Sequence, residues 1–214
     1  MKQQKVSEEN PTFKMPLEPS SSVYKEKSSK FISLLFPVST TEEAEEIRKK
    51  IAKEYYDATH HCFALRIGLG KELIEKYSDA GEPSHTAGEP ILNALKQSQV
   101  SNALCIVVRY FGGTKLGTGG LIRAYHKSAL SSIESAKMKD LFETENCNLE
   151  IGFQLEGILR HTLSKFGGKI LKEERTNSKI KLEVEMAKSK KVEFEAKAKE
   201  IKEKWKSEFI WKWK

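Results

Sequence analysis

Residues 78–127 read SDAGEPSHTAGEPILNALKQSQVSNALCIVVRYFGGTKLGTGGLIRAYHK, and this stretch decides how the first part of the chain folds. Within it, Ala103–Tyr110 is rich in β-forming residues and apolar at odd and even positions, which predicts a strand buried on both sides. Glycines, threonine and lysine follow at once, and a helix-patterned segment comes next. The order strand, glycine loop, helix presents backbone N–H groups to an anion. The sequence therefore predicts an anion site at residues 112–120.

Basic side chains surround this glycine loop. Arg109 closes the strand and Lys115 lies inside the loop, while Arg123 and Lys127 are four residues apart and share one face of the next helix. Guanidinium and ammonium groups beside the N–H groups of a helix start suit phosphate or carboxylate. The predicted anion-binding residues are Arg109, Gly112, Gly113, Lys115, Gly117, Gly119, Gly120, Arg123 and Lys127. The alternative, that the glycines only allow tight turns with positive φ, remains open.

A second polar loop, from Asp79 to Gly88, lies just upstream and is expected to line the same site. Its candidate residues are Asp79, Gly81, Glu82 and Thr86. A helix is predicted to begin near Gly88, because Pro90 suits a first helical turn, where a missing N–H costs little.

Other chemistries find little support in the spacing of the residues. The loop is neither a GxxxxGK[ST] phosphate loop nor a G-x-G-x-x-G dinucleotide loop. A hydrolase or metal site would have to be built from acidic residues and histidines of this region. The HExxH, paired CxxC and GxSxG motifs of such sites are missing. The acidic residues and histidines in question are Asp79, Glu82, Glu89, His60, His61, His85 and His126. Adjacent His60 and His61 point to opposite faces of a strand, so they do not easily share one metal ion.

Cys62 is the remaining candidate nucleophile. A cysteine nucleophile needs a base and a lowered pKa, and the sequence shows neither. A small buried side chain is the commoner role for such a residue. We therefore assign no catalytic residue, no metal ion and no cofactor.

The composition limits the class of protein. The chain has 214 residues, of which 38% are hydrophobic and 31% charged, so a globular protein is expected. A net charge of +7 permits an acidic partner such as RNA without requiring one. No apolar run reaches the roughly 18 residues of a membrane span, and the N-terminus lacks the pattern of a signal peptide. Three cysteines make a disulfide framework improbable, which predicts a cytoplasmic protein.

The chain is expected to have three parts. Residues 1–22, with three prolines and a serine triplet, predict a flexible lead-in. Residues 23–139 form a first domain, and residues 144–214 form a second. In the first domain Thr40 and Glu43 predict a capping box at a helix start. Thr118 is the expected N-cap of the helix after the glycine loop.

The second domain has a clear alternation of patterns. Strand-like and helix-like segments follow one another as β-α-β-β-α-β, which is the ferredoxin-like order. Residues 144–214 hold 17 basic and 12 acidic residues, so most of the excess positive charge lies here. The mixed run at 188–206 is nevertheless explained by a solvated helix face.

Three segments together resemble the signature of the YigZ/Impact family: HHCFA at 60–64, SDAGEPSHTAGEPIL at 78–92 and VVRYFGGTKLGTGGLIRAY at 107–125. The resemblance extends from about Tyr24 to Ala136, and the downstream segment is similar to the C-terminal domain of bacterial members. It implies an α+β protein, with an N-terminal domain like ribosomal protein S5 domain 2. The ferredoxin-like domain that follows is similar to domains of elongation factor G.

The sequence departs from the family pattern at two positions of the first loop. Ala80 stands where the family usually has a second acidic residue, and His85 stands where it usually has a glycine. Eukaryotic Impact members also carry an additional domain that binds the activator of a translation kinase. Nothing in this sequence resembles that domain, so kinase regulation is not carried over.

Three functions remain open. The first is a translation-associated protein that binds RNA or the ribosome through the cationic glycine loop, without catalysis, as the family implies. The second is an enzyme for a small phosphate compound or nucleotide, a hydrolase or transferase, because metabolite kinases share the S5-like fold, although fold alone does not establish function. The third is an adaptor that binds a protein partner in translation control. No membrane partner is expected.

Overall fold

The computed structural model describes residues 13–206 and 208–214, which divide into two compact units, one ending at residue 141 and the other beginning at residue 142. Each unit has its own main β-sheet, with a hydrophobic core on both faces of the first sheet and on one face of the second. The mixture of antiparallel sheets and helices confirms the predicted α+β class.

The first unit is built on a five-stranded antiparallel sheet. The strands of this unit are β1 Phe13–Pro16, β2 Ser20–Glu26, β3 Ser29–Pro37, β4 His60–Ile67, β5 Ile74–Ser78, β6 Ala103–Tyr110 and β7 Met138–Leu141. The sheet has the order β2-β3-β6-β4-β5, while β1 and β7 form a separate antiparallel pair. Strand β6 lies at the centre, and only its last residue, Tyr110, is not fully buried. This confirms the prediction of a strand covered on both faces.

Helices cover both faces of this sheet. They are α1 Thr41–Glu54, α2 Gly88–Gln97 and α3 Thr118–Glu134. Helices α2 and α3 pack on one face, where Leu95 and Tyr125 meet Phe31. Helix α1 packs on the other face through Ala44 and Ile51. The unit therefore has three layers, because the strands between the helices are apolar on both sides.

Helix α1 begins as the sequence predicts. The N–H of Glu43 donates to Oγ1 of Thr40 at 3.2 Å, and the N–H of Ser39 donates to the Glu43 carboxylate at 2.8 Å. The capping box is thus confirmed, with the carboxylate reaching one residue further back than the usual pattern.

The second unit has the predicted ferredoxin-like order. Its elements are β8 Thr144–Gly152, α4 Glu156–Lys165, β9 Lys169–Arg175, β10 Lys179–Ala187, α5 Lys191–Trp205 and β11 Phe209–Trp213. The sheet order is β11-β8-β10-β9, and all pairs are antiparallel. Leu149 and Leu182 from the sheet pack with Leu159 and Phe194 from the two helices.

Two expectations are wrong. The predicted flexible lead-in at residues 1–22 holds strand β1 and the start of β2 between residues 13 and 22, and its remainder lies outside the described residues. Backbone pairing with β7 and β3 outweighs the polar, proline-rich composition of this segment. The N-cap of α3 is Gly117 rather than Thr118, because the chain enters the helix at φ +71°, which glycine adopts without strain.

Candidate functional site

The two predicted loops meet beneath the end of β6, in a buried polar network centred on Glu82. One carboxylate oxygen of Glu82 accepts hydrogen bonds from the Arg109 guanidinium at 2.5 Å and from the Tyr125 hydroxyl at 2.7 Å. Glu82 comes from the first loop, Arg109 from the strand before the glycine loop, and Tyr125 from the helix after it. The structure thus brings together residues that are 43 positions apart in sequence.

The burial of Arg109 changes its expected role. Its side chain is 6% exposed, and that of Glu82 is 3% exposed. An ion pair so deeply buried neutralises both charges locally, and the guanidinium is not available to a ligand at the surface. We therefore correct the prediction for Arg109: it supports the site from below and does not line it.

Cys62 and Tyr125 extend the network but are not reactive groups. The Cys62 thiol donates to the Asp79 carbonyl at 2.9 Å and lies 3.4 Å from the Tyr125 hydroxyl. Burial raises the pKa of Cys62 to about 12, and burial is also the main cause that raises the pKa of Tyr125. Both groups therefore stay protonated at neutral pH, which argues against a nucleophilic cysteine.

The carboxylate of Asp79 accepts hydrogen bonds at the N-terminus of helix α2. Its carboxylate accepts the N–H groups of Gly88 at 2.8 Å, Ala87 at 3.0 Å and His85 at 2.9 Å. Burial alone would raise the pKa of Asp79, but these backbone hydrogen bonds outweigh it and hold the pKa below its usual value. The N-terminus of α2 is therefore satisfied internally.

The remaining candidates of the first loop shape its turns. Thr86 is buried, and its hydroxyl donates to the Pro83 carbonyl at 2.7 Å. Gly81 has φ +89°, and the His60 ring lies next to it. Ala80 and His85, the two departures from the family pattern, have φ values of +44° and +63°. Since left-handed backbone favours glycine, the φ of His85 explains why a glycine suits that position.

The histidines considered as metal ligands contact separate partners. His60 contacts the Ala80 carbonyl, His61 the Tyr55 carbonyl, and His126 the side chain of Gln97. Among the described residues, no group of three or more His, Cys, Asp or Glu side chains is arranged to hold a metal ion.

The glycine loop approaches the β2–β3 hairpin closely. A Cβ atom on Gly112 would overlap the backbone carbonyl group of Ser28, so glycine is required by close packing at this point. Gly113 and Gly117 have positive φ and open space around them. The structural explanation of the glycines therefore holds for Gly112 through close packing and for Gly113 and Gly117 through positive φ.

The start of helix α3 is open. Its first backbone hydrogen bond runs from Leu121 N–H to the Gly117 carbonyl at 2.9 Å. The N–H groups of Thr118, Gly119 and Gly120 precede it and have no acceptor within the helix. No side-chain oxygen caps them in the described part of the chain. Helix α2 differs, because the Asp79 carboxylate accepts the N–H groups at its start.

Three of the four predicted cations lie at the surface. Lys115, Arg123 and Lys127 are exposed, and no ion pair of theirs occurs within residues 13–206 and 208–214. Arg123 lies near the loop: one nitrogen of its guanidinium is 3.5 Å from the position that a Cβ atom on Gly119 would occupy. These charges therefore project into solvent without a neutralising carboxylate in the described structure.

Sequence reasoning missed the cations of the hairpin that lies beside the loop. The β2–β3 hairpin, whose turn touches Gly112, carries the exposed residues Lys25, Lys27 and Lys30. Lys27 lies in the turn, whereas Lys25 and Lys30 are in register with Tyr110 and lie on the α1 side of the sheet. None of the three has an ion-pair partner among the described residues. The KEKSSK run was visible in the sequence, but only strand pairing places it next to a loop some 85 residues away.

The basic residues of the second unit are in a different situation. Many of them pair with glutamates, as in Arg175–Glu156 at 2.6 Å, Lys179–Glu150 at 2.6 Å and Lys191–Glu145 at 2.9 Å. Carboxylates interleaved with the cations reduce the attraction of this unit for a polyanion. The excess charge counted from the sequence is thus a weaker guide than the pairing of the charges.

None of the helices in the described residues combines the length and apolar character that spanning a bilayer requires.

Comparisons with known proteins agree with the family resemblance. The family model described as Impact N-terminal domain matches residues 27–133. A protein of Escherichia coli, the IMPACT family member YigZ, is 35% identical over 188 residues, which is 86% of this chain and 90% of that protein. The IMPACT family member YvyE of Bacillus subtilis is 51% identical over 102 residues. That match covers 48% of this chain and 46% of the Bacillus protein, or about half the length of each.

One solved structure is similar over nearly the full length. It is described as the crystal structure of a hypothetical protein, with a TM-score of 0.64 and 28% sequence identity. The similarity covers 94% of this chain and 96% of the other. The two-unit architecture is therefore shared with a solved protein.

Proposed function

The chain belongs to the Impact family, and from this membership we propose that it is a translation-associated protein that binds RNA or the ribosome without catalysis. The binding surface is the glycine loop with its exposed cations, which we term the cationic loop surface: Lys27, Gly113, Lys115, Gly117, Gly119, Gly120, Arg123 and Lys127. The link to translation comes from the family resemblance.

One observation carries the proposal of an RNA partner: the cations of this surface have no ion-pair partners in the described chain, although the first unit holds many carboxylates. Unpaired lysine and arginine side chains attract phosphate without reference to sequence. The uncapped N–H groups at the start of α3 add donors of the kind that bind phosphate oxygens.

The reactive groups near the surface support a role without catalysis. Cys62 is a buried thiol, Asp79 is bound by three backbone N–H groups, and Glu82 is paired with Arg109. Each of these groups is engaged in a hydrogen bond or an ion pair within the protein. The cysteines are all free and buried, which supports a location in the cytoplasm, where thiols stay reduced.

Salt-dependent RNA binding tests the proposal. The affinity of the full chain for a fluorescent RNA oligomer should fall steeply with salt, because released counterions drive the binding. Replacing Lys115, Arg123 and Lys127 together by alanine should reduce the slope of log affinity against log salt by about 2, at roughly 0.7 per lost contact with a single strand. Fluorescence anisotropy over a salt series gives this slope.

The matched control removes three charges from the opposite side of the unit. Lys49, Lys50 and Lys53 are exposed on α1, which packs on the other face of the sheet. Their replacement by alanine should leave the slope unchanged. An affinity indifferent to salt, or equal losses in the two triple variants, would remove the proposal. Retained protein partners in a pull-down, alongside lost RNA binding, would show that an adaptor function uses another surface.

A further inference from the structure

We propose that the nucleic acid bound at the cationic loop surface is single-stranded RNA, with one base stacked on the ring of Phe111. This inference rests on the proposed function and names the form of its ligand. It depends on an aromatic side chain that the anion-site prediction did not use.

Phe111 is the first residue after β6 and begins the glycine loop. It is 46% exposed, although it directly follows a buried strand. Its neighbours along the chain, Gly112 and Gly113, have no side chains that cover the ring. The ring is thus bordered by glycine backbone and open to solvent.

The ring is also held in place. The Arg109 guanidinium lies 5.5 Å from the Phe111 ring centroid, and the Phe111 N–H donates to Oγ1 of Thr59 at 3.1 Å. Because Arg109 is paired with Glu82, its position is set by the buried network. A ring supported from below and exposed elsewhere loses little conformational freedom when a planar group stacks on it.

Phe111 lies on the same side of the sheet as the loop cations. Side chains alternate along a strand, so Phe111 shares its side with Arg109 and with helix α3, whereas Tyr110 points to the side of α1. Tyr110 confirms this direction, since its hydroxyl donates to Asp57, just after α1, at 2.8 Å. The aromatic ring therefore lies on the side of the sheet covered by helix α3, which carries Arg123, and Lys115 follows it in the same loop.

This combination distinguishes single strands from duplexes. A cationic surface attracts both, because both carry phosphates. An exposed ring contributes only when a base is free to leave its neighbours and stack, as in single-stranded RNA. A duplex keeps its bases stacked inside and offers nothing to Phe111.

The test compares one short unstructured RNA oligomer with the same oligomer annealed to its complement, using fluorescence anisotropy with the full chain. Phe111→Ala should weaken single-strand binding roughly 5- to 100-fold, the range expected for one lost base–aromatic stack, and leave duplex binding unchanged. Phe111→Leu should behave like Phe111→Ala, because leucine keeps apolar bulk without a π-face. Phe111→Trp should restore the affinity for the single strand.

Phe153 supplies the matched control, since it is 43% exposed and lies in the second unit. Phe153→Ala should leave binding of both RNAs unchanged. Circular dichroism of each variant checks that it is folded, and Phe111→Leu replaces Phe111→Ala if the latter is not.

Three outcomes would overturn the inference: equal losses for single strand and duplex, a loss no larger than that of Phe153→Ala, or binding of a mononucleotide as tight as that of the oligomer. The last result would identify a nucleotide site instead. Failure of the proposed function has a different sign. In that case the triple alanine variant of Lys115, Arg123 and Lys127 would bind RNA like the wild type.

Discussion

The guanidinium of Arg109 lies between two aromatic rings, with 5.5 Å to the centroid of Phe31 and 5.5 Å to that of Phe111. Its charge is compensated by Glu82, but its Nε is buried without an acceptor among the described residues. A buried pair of this kind specifies the arrangement of its surroundings more than it adds stability. Arg109 and Glu82 therefore tie the first loop to the start of the glycine loop.

The coupling between these two residues is measurable. Glu82→Gln should lower the free energy of unfolding by about 3–5 kcal/mol, because it leaves Arg109 buried without a counter-charge. Urea denaturation followed by circular dichroism measures the loss. The double variant Glu82→Leu with Arg109→Met should lose less than Glu82→Leu alone, since no unpaired charge remains. Losses that simply add would contradict the coupling.

At the scale of elements, the glycine loop combines two different requirements. Gly112 is required because its backbone lies against the backbone of Ser28 in the β2–β3 turn, where both central residues, Lys27 and Ser28, have positive φ. Gly113 is required only by its φ of +85°, since nothing lies within 4 Å of its Cβ position. Gly112 therefore allows the loop to pack against the hairpin, whereas Gly113 only allows the chain to turn.

Matched substitutions separate these requirements. Gly112→Ala should destabilise the protein by about 3 kcal/mol, as in overpacked sites, because two backbone segments must move apart. Gly113→Ala should cost about 1 kcal/mol, the strain of an L-residue in left-handed backbone. Thermal unfolding compares the two variants. An equal cost for both would show that the contact between loop and hairpin is not tight.

At the scale of the whole molecule, the described residues form three hydrophobic cores, two in the first unit and one in the second. The first unit uses one core on each face of its sheet, and the second uses a single core between its sheet and two helices. All three tryptophans, Trp205, Trp211 and Trp213, belong to the second unit. Tryptophan fluorescence therefore reports on the second unit, while circular dichroism reports on both.

The two units are expected to respond separately to core substitutions. Leu95→Ala, in the first unit, should lower its stability by about 2–5 kcal/mol without moving the midpoint of the fluorescence transition. Leu159→Ala, in the second unit, should lower the fluorescence midpoint by a similar free energy. Urea titrations with both probes give the midpoints. If the two midpoints always shift together, the units unfold as one.

Much of the fold could be predicted because its signals are local. The periodicity of Ala103–Tyr110 predicted a fully buried strand, and the alternation in residues 144–214 predicted the ferredoxin-like order. The segment at residues 13–22 was predicted wrongly, since its strands depend on partners far away in the chain. Pairing energy of this kind leaves no local pattern.

The candidate site was predicted in part. The sequence indicated the glycine loop and the cations Lys115, Arg123 and Lys127, because spacing within a loop and a helix is readable. It did not indicate that Arg109 is buried or that the turn carrying Lys27 lies beside the loop. Whether RNA binds there stays a prediction.

The sequence by itself determined the family, the order of most strands and helices although not β1 or β7, and the presence of a glycine loop with nearby positive charge. These properties follow from composition, periodicity and motifs, all of which act over a few residues. Only the tertiary structure decided which charges remain free and which are neutralised. The reason is that charge compensation depends on distance in space: Glu82 reaches Arg109 across 27 residues, and the hairpin reaches the loop by strand pairing.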